Sequence, residues 1–273
     1  MTAPGADVAV TVVQTVPSFG EVETNRRRTV EAIREHPAAD LVVLPELATS
    51  GYGFESRDEL DAAAEPADGP TASAWADAAA DIDAWIVGGV PERDGDERYN
   101  AALVVSPAGL VGVYRKVHLW NEEKRWFEPG EAVPIFEAPF GRLAVQICND
   151  LWFPELSTRQ ARAGADVVAV PTNWVPVPER RPAGWTLGVH HAVANANANR
   201  LFVACADRAG TERGVTFEGQ SVVVDADGIP VAGPLPDSGR HAATATCDLR
   251  RAREKALTDR DHVLDDRRPE MYE

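Results

Sequence analysis

Short apolar runs alternate with longer amphipathic stretches along most of the chain. Some runs are almost wholly apolar, as in Leu41-Val42-Val43-Leu44 after Asp40 and Val167-Val168-Ala169-Val170 after Asp166. Runs of that kind read as strands buried on both faces. The pattern predicts strands at 7–14, 41–45, 84–90, 101–106, 110–115, 133–137, 142–148, 166–171, 201–206, 220–225, 229–232 and 242–247. Helices are predicted at 22–35, 57–64, 71–82, 154–163 and 186–199. Two segments, 104–111 and 223–230, each turn around Pro or Asp followed by Gly, a hairpin signal that hints at pseudo-symmetric halves. No Pro/Gly/Ser linker long enough to divide the chain intervenes. One α/β domain over 1–273 is therefore expected. The stretch from about 250 is densely charged and is expected to run over a partner or the protein's own surface.

Composition narrows the class. Hydrophobic residues make up 44% of the 273, which suits a folded globular chain with a sizeable core. No apolar run approaches the roughly 18 residues of a membrane span. The first residues lack a basic n-region and lead straight into a strand-like run, so no signal peptide is expected and a cytoplasmic location is the default. The net charge of −16 argues against a nucleic-acid partner. Lysine is scarce, with Lys116, Lys124 and Lys255 the only three beside 24 arginines. Acidic excess of this kind marks proteins of salt-loving organisms, whose carboxylate surface repels itself until salt screens it. The plainer reading is an acidic protein from a GC-rich genome.

The cysteines number three, an odd and sparse set that makes no disulfide framework. Cys205 and Cys247 lie in strand-like segments and read as core. Cys148 differs. It closes the apolar run 142–148 and is followed at once by Asn149 and Asp150, near a helix start. A helix N-terminus there would favour thiolate over thiol and make a nucleophile. A small buried hydrophobe is the competing reading, and the local sequence does not separate the two.

Possible partners lie at other strand ends. Glu46 follows a buried strand and Pro45, where partial burial would raise its pKa and suit it to general-base work; the plainer role is a loop-capping carboxylate. Lys116 stands in Tyr114-Arg115-Lys116-Val117-His118 where arginine is otherwise the habit of this chain. A compact ammonium there could stabilise a thiolate or an oxyanion, unless it is simply a solvated strand end. His118 and the His190-His191 pair are the histidines that could serve as base, but no spacing ties either to Cys148. Neither HExxH nor a CxxC pair is present, and no Walker loop, GxGxxG or GxSxG. No metal or cofactor is expected.

Taken together, Leu44-Pro45-Glu46 with Gly51-Tyr52, Tyr114-Arg115-Lys116-Val117-His118-Leu119, and Ile147-Cys148-Asn149-Asp150 with Phe153-Pro154-Glu155 resemble the nitrilase superfamily of carbon–nitrogen hydrolases. Smaller matches, among them Tyr99-Asn100-Ala101-Ala102, Phe127-Glu128-Pro129-Gly130 and Pro171-Thr172-Asn173-Trp174, extend the likeness over nearly the whole chain. The resemblance implies a four-layer αββα sandwich, a Glu46-Lys116-Cys148 triad and no cofactor. It also implies a second glutamate, placed on Glu123 with the adjacent Glu122 as the alternative register, and a homodimer or larger assembly. The substrate implied is a small amide or N-carbamoyl compound, because the Trp-Glu that follows the cysteine of true nitrilases is replaced by Asn149-Asp150; nitrile hydrolysis, or a non-catalytic scaffold on the same fold, is the alternative, the latter disfavoured by the intact Glu46, Lys116 and Cys148. Tyr52, Asn149, Trp152, Asn173 and Trp174 are the expected substrate contacts, although tryptophan so placed is often plain core. Carbamoylases carry arginines where this chain has Leu151 and Trp152. Arg180 and Arg181 are the substitutes considered for a carboxylate contact, against the commoner reading as solvated surface charge.

Overall fold

The computed structural model describes residues 7–176 and 184–272. In chain order, β1 (Asp7–Gln14), α1 (Val22–Arg34), β2 (Leu41–Val43), α2 (Arg57–Ala63), α3 (Pro70–Ile82), β3 (Trp85–Asp94), β4 (Glu97–Ser106) and β5 (Gly109–Arg115) make the first half. The second half runs through α4 (Glu123–Trp126), β6 (Ile135–Ala138), β7 (Gly141–Val145), α5 (Pro154–Arg162), β8 (Val167–Pro171), α6 (Leu187–Asn199) and β9 (Phe202–Ala206). It closes with β10 (Ala209–Glu212), β11 (Val215–Glu218), β12 (Val222–Val224), β13 (Pro230–Ala232), β14 (His241–Asp248) and α7 (Arg250–Arg253).

Two mixed six-stranded sheets result, ordered β14-β1-β2-β3-β4-β5 and β13-β12-β9-β8-β7-β6. The period-2 geometry of a strand explains how they stack. Val10, Val12, Leu41 and Val43 point to one side and meet Leu143, Val145, Val167, Ala169 and Phe202 of the other sheet in a dry inter-sheet core. Their neighbours Val13, Val42 and Ile86 point outward and are covered by Ile33 of α1 and Trp75 and Ala79 of α3. On the far side, Val168, Val203 and Val222 are covered by Ala161 of α5 and by Val189, Ala192 and Ala196 of α6. Helix, sheet, sheet, helix is the αββα order expected, and β2 and β8, buried throughout, are the continuous apolar runs of the sequence.

Strands and helices fall within a few residues of their predicted positions, with instructive exceptions. The strand predicted to end at Cys148 ends at Val145, and Cys148 opens a 3-10 turn, Cys148–Trp152. The β10–β11 hairpin was not predicted, because its short strands carry Thr and Glu and only half of their residues are buried. β14 pairs antiparallel with β1 over eight residues, Asp7 opposite Asp248 through Gln14 opposite His241. The charged tail packs on the protein's own surface: Arg253 pairs with Asp166, Lys255 donates to the carbonyls of Asn199 and Arg200, and Leu264 is buried. Cys205 and Cys247 are buried strand residues, as expected. Among the described residues, no helix is long and apolar enough to cross a membrane.

Candidate active site

Three strand ends converge at one edge of the sandwich. Glu46 lies three residues beyond β2, where the chain continues along β3: Gly89 donates to the Pro45 carbonyl and Ala48 donates to that of Gly89. Gly89 is required there, since a Cβ would stand 2.5 Å from Glu46 Cα. Lys116 follows β5 and is held by the carbonyl of Asn100. Cys148 sits one turn past β7 in the left-handed region, at φ 45°. That conformation costs a non-glycine residue about 1 kcal/mol and persists only where the surroundings enforce it.

Asp150 does the enforcing. One carboxylate oxygen accepts the Ile147 N–H (2.9 Å) and the Tyr114 hydroxyl (2.7 Å), and the other accepts the backbone N–H of His118 (3.0 Å). The ring of His118 is committed to Asp150 as well and stacks on Phe153 with centroids 3.8 Å apart. It is a brace for the turn, and the structure gives it no contact with Cys148. His191 of α6 packs at a tilt against the ring of Trp152, with centroids 4.2 Å apart.

Glu46, Lys116 and Glu123 form a buried hydrogen-bonded row. Lys116 Nζ donates to Glu46 Oε1 at 2.7 Å and to Glu123 Oε1 at 2.8 Å, with all three side chains withdrawn from solvent. Glu122 is exposed and pairs with Arg125, so Glu123 is the residue in register with Lys116. Glu123 also receives the Tyr52 hydroxyl (2.6 Å) and the Trp120 N–H. Asn100, not singled out from the sequence, donates to Glu46 Oε1 at 2.6 Å. Glu46 Oε2 is left buried with no partner.

Charge and burial set the proton positions. Burial pushes Glu46 up, Lys116 pulls it down and Glu123 pushes it up again, leaving it at about 7. Burial works against the Lys116 ammonium, but the Glu123 and Glu46 carboxylates outweigh it and hold the charge in place. Burial, then the Glu46 carboxylate, raise the Cys148 thiol well above its ordinary value; Lys116 and the backbone N–H of Asn173 pull the other way without prevailing. The expected helix-stabilised thiolate is therefore corrected. A single 3-10 turn carries little dipole, and the resting sulfur keeps its proton beside a carboxylate able to take it.

Cys148 opens onto a small cavity of about 50 Å3 whose lining includes Asn149, Trp152, Asn173, Trp174 and Leu187. Four of the five expected substrate contacts are thus brought together. Both polar atoms of the Asn173 amide and the Trp174 indole nitrogen are buried without partners. Tyr52 does not line this cavity. It borders the wider adjoining groove, of about 650 Å3, and its hydroxyl is committed to Glu123. A buried Arg208–Glu212 pair at 2.8 Å holds the Tyr52 loop, Glu212 accepting the N–H groups of Tyr52 and Gly53. Arg180 and Arg181 lie outside the described residues. Asn100 and Asp150 were missed as site residues, although each stood inside a quoted motif; a polar residue within an apolar strand was the available signal for Asn100.

Comparison with known proteins agrees with this geometry. The Carbon-nitrogen hydrolase family profile matches residues 9–256. A protein named nitrilase from Pyrococcus abyssi is 36% identical over 97% of this chain and 99% of its own. An (R)-stereoselective amidase from a Pseudomonas species is 32% identical over 94% of this chain and 91% of its own. The crystal structure of an amidase from Nesterenkonia sp. superposes with a TM-score of 0.79 at 26% identity, covering 99% of this chain and 97% of that one. A variant of the Nesterenkonia amidase, 25% identical to this chain, shows acrylamide added to its active-site cysteine; it covers 97% of this chain and 98% of its own, with a TM-score of 0.78.

Proposed function

Because the chain belongs to the carbon–nitrogen hydrolase family, we propose that it hydrolyses the C–N bond of a small linear amide or N-carbamoyl compound through a thioester on Cys148. The observation that carries the reading is the buried Glu46–Lys116–Glu123 row beside a cysteine that opens onto a cavity. Names of similar proteins, among them the Pseudomonas amidase, support amides as the substrate class.

The chemistry follows from the proton positions. Glu46 Oε1 is occupied by Lys116 and Asn100, and the unpartnered Oε2 takes the thiol proton as sulfur attacks the carbonyl carbon. Negative charge develops on the carbonyl oxygen, where Lys116 Nζ and the backbone N–H of Asn149 stabilise it. A donor of this kind is worth about 3–4 kcal/mol in the transition state. The C–N bond breaks and the leaving nitrogen collects the proton from Glu46. Water then gives a proton to the same carboxylate, adds to the thioester and releases the acid, and the proton returns to sulfur. Glu123 keeps Lys116 charged and aimed. Asn173 offers its amide to the substrate, with Asn149, Trp152 and Trp174 as walls, while Tyr52 acts through Glu123.

The Pyrococcus relative named nitrilase supports a second reading, nitrile hydrolysis. The Asn149-Asp150 pair favours amides. We also read the chain as cytoplasmic and, on the strength of its charge of −16, as salt-adapted. A homodimer or larger assembly is supported by Trp120 and Phe153, which are 40% and 39% exposed. Ammonia release across amides, ureido acids and nitriles in high salt tests the substrate class. Cys148→Ala should abolish turnover with the melting transition kept, and retained turnover would overturn the assignment of the nucleophile.

A further inference from the structure

Tyr52 bears on the site through Glu123. Its hydroxyl donates at 2.6 Å to Glu123 Oε1, the same oxygen that accepts Lys116 Nζ at 2.8 Å. Where that hydroxyl sits is decided at the other end of the residue, by the β10–β11 hairpin, which walls one side of the wider groove. Glu212 Oε1 accepts the backbone N–H of Tyr52 at 2.8 Å and that of Gly53 at 2.7 Å. Phe217 meets the Tyr52 ring edge-on, with centroids 5.9 Å apart. Gly51 lets the segment close on the carboxylate: it sits at φ 82°, and a Cβ there would stand 2.5 Å from Glu212 Oε2.

Glu212 is fixed from behind. Its Oε2 accepts Arg208 Nη1 at 2.8 Å, both side chains are buried, and the guanidinium carbon lies 4.0 Å from the centre of the Phe217 ring. Burying an ion pair carries a desolvation cost that its attraction does little more than offset, and well-packed apolar side chains often hold a fold as well. An apolar pair, however, could not bind two consecutive backbone N–H groups at a fixed point. The hairpin thus grips Tyr52 twice, by its backbone through Glu212 and by its ring through Phe217.

We propose that Glu212 is a positioning residue for the reaction: it holds Gly51-Tyr52-Gly53 so that the Tyr52 hydroxyl meets Glu123 and keeps that carboxylate aligned on Lys116. The inference rests on Lys116 serving the oxyanion in the hydrolysis proposed above. Glu212 touches neither Cys148 nor Lys116 and acts through the tyrosine.

The test is a double-mutant cycle on kcat in the full-length protein, read by ammonia release from whichever amide, ureido acid or nitrile the parent turns over fastest. Calorimetry checks that each variant is folded at the assay temperature. Glu212→Gln has one oxygen and one NH2, so it cannot accept from Arg208 and from the Tyr52 segment at once. It should lower kcat about three- to tenfold, the range of one hydrogen bond, with KM within about twofold of the parent. Glu212→Asp keeps the charge opposite Arg208 and draws the acceptor back by one methylene, so kcat should fall in the same direction even where Glu212→Gln fails to fold. In a Tyr52→Phe background, which already lacks the hydroxyl, the same two changes should cost less than about twofold. A hairpin that merely supported the fold would cost the same factor in both backgrounds. Equal factors with and without the hydroxyl, an unchanged kcat in the Glu212 variants, or a rise in KM alone would each overturn the inference and leave the hydrolysis standing. A parent protein that releases no ammonia from any of these compounds overturns the functional reading and the inference with it.

Discussion

Replacing Asn100 by leucine isolates the control of the base. Asn100 is fully buried on β4 and its amide nitrogen lies 2.6 Å from Glu46 Oε1. Leucine is close to it in size, so the change removes a donor with little cavity or overpacking. Hydrogen bonds to charged groups contribute about 1.5–3 kcal/mol, and the lower end applies where the acceptor keeps a second, charged donor, as Glu46 Oε1 keeps Lys116. At 1.36 kcal/mol per unit, Glu46 should move from about 7 to about 8 or a little above. The assay is ammonia release, with kcat/KM followed from pH 5 to 10. The acid limb should fall near pH 7 in the parent and about a unit higher in the variant, with similar plateaus and a loss of roughly fivefold at neutral pH. Stability should show the same displacement. Glu46 binds its proton more tightly in the folded state than the ordinary value of 4.5, so the folded protein loses stability as pH rises from there to about 7. The total is about 3 kcal/mol, level above that range. In Asn100→Leu the decline should continue about a unit further, leaving the two proteins alike in acid and the variant weaker in alkali. An acid limb that stays in place while activity drops uniformly at every pH would refute this account of Asn100.

Three other changes probe the surroundings. Tyr52→Phe removes the 2.6 Å donor to Glu123 and should lower kcat about tenfold with KM little altered; a rise in KM alone would return Tyr52 to the substrate. Gly188→Ala sets a Cβ 2.1 Å from the Trp174 ring, and the displacement, about 1–3 kcal/mol, should exceed the helix-propensity gain of about 1 kcal/mol. Calorimetry should show a lower melting temperature, and an unchanged or higher one would contradict the contact. If the charge of −16 reflects salt adaptation, the melting temperature in molar KCl should exceed that in dilute buffer, and equality would dismiss the idea.

Glu46, Lys116 and Cys148 were legible in the sequence because each stands at the end of an apolar strand, where a polar residue is conspicuous and motif order constrains it. The αββα layering was legible for a related reason: Val42 and Val168 sit in runs that are apolar at both parities, which only a doubly covered sheet requires. What escaped were relationships rather than residues. Asn100 reaches Glu46 across 54 positions, and Tyr52 reaches Glu123 across 71. No local pattern encodes such pairings. The protonation of Cys148 was misjudged because a helix start was visible in the sequence whereas burial beside Glu46 was not.

The pairing of β1 with β14 bears on how the molecule is made. Every residue given a part in the reaction scheme has been synthesised by Trp174, yet the first sheet gains its outer strand only when residues 241–248 emerge. Until then β1, which carries Val8, Val10 and Val12, has one edge with unpaired backbone groups. Open apolar edges recruit other chains, and pairings this distant in sequence form late. The last strand, which contributes nothing to the chemistry, thus acts as the seal that keeps a finished catalytic half from aggregating with its neighbours.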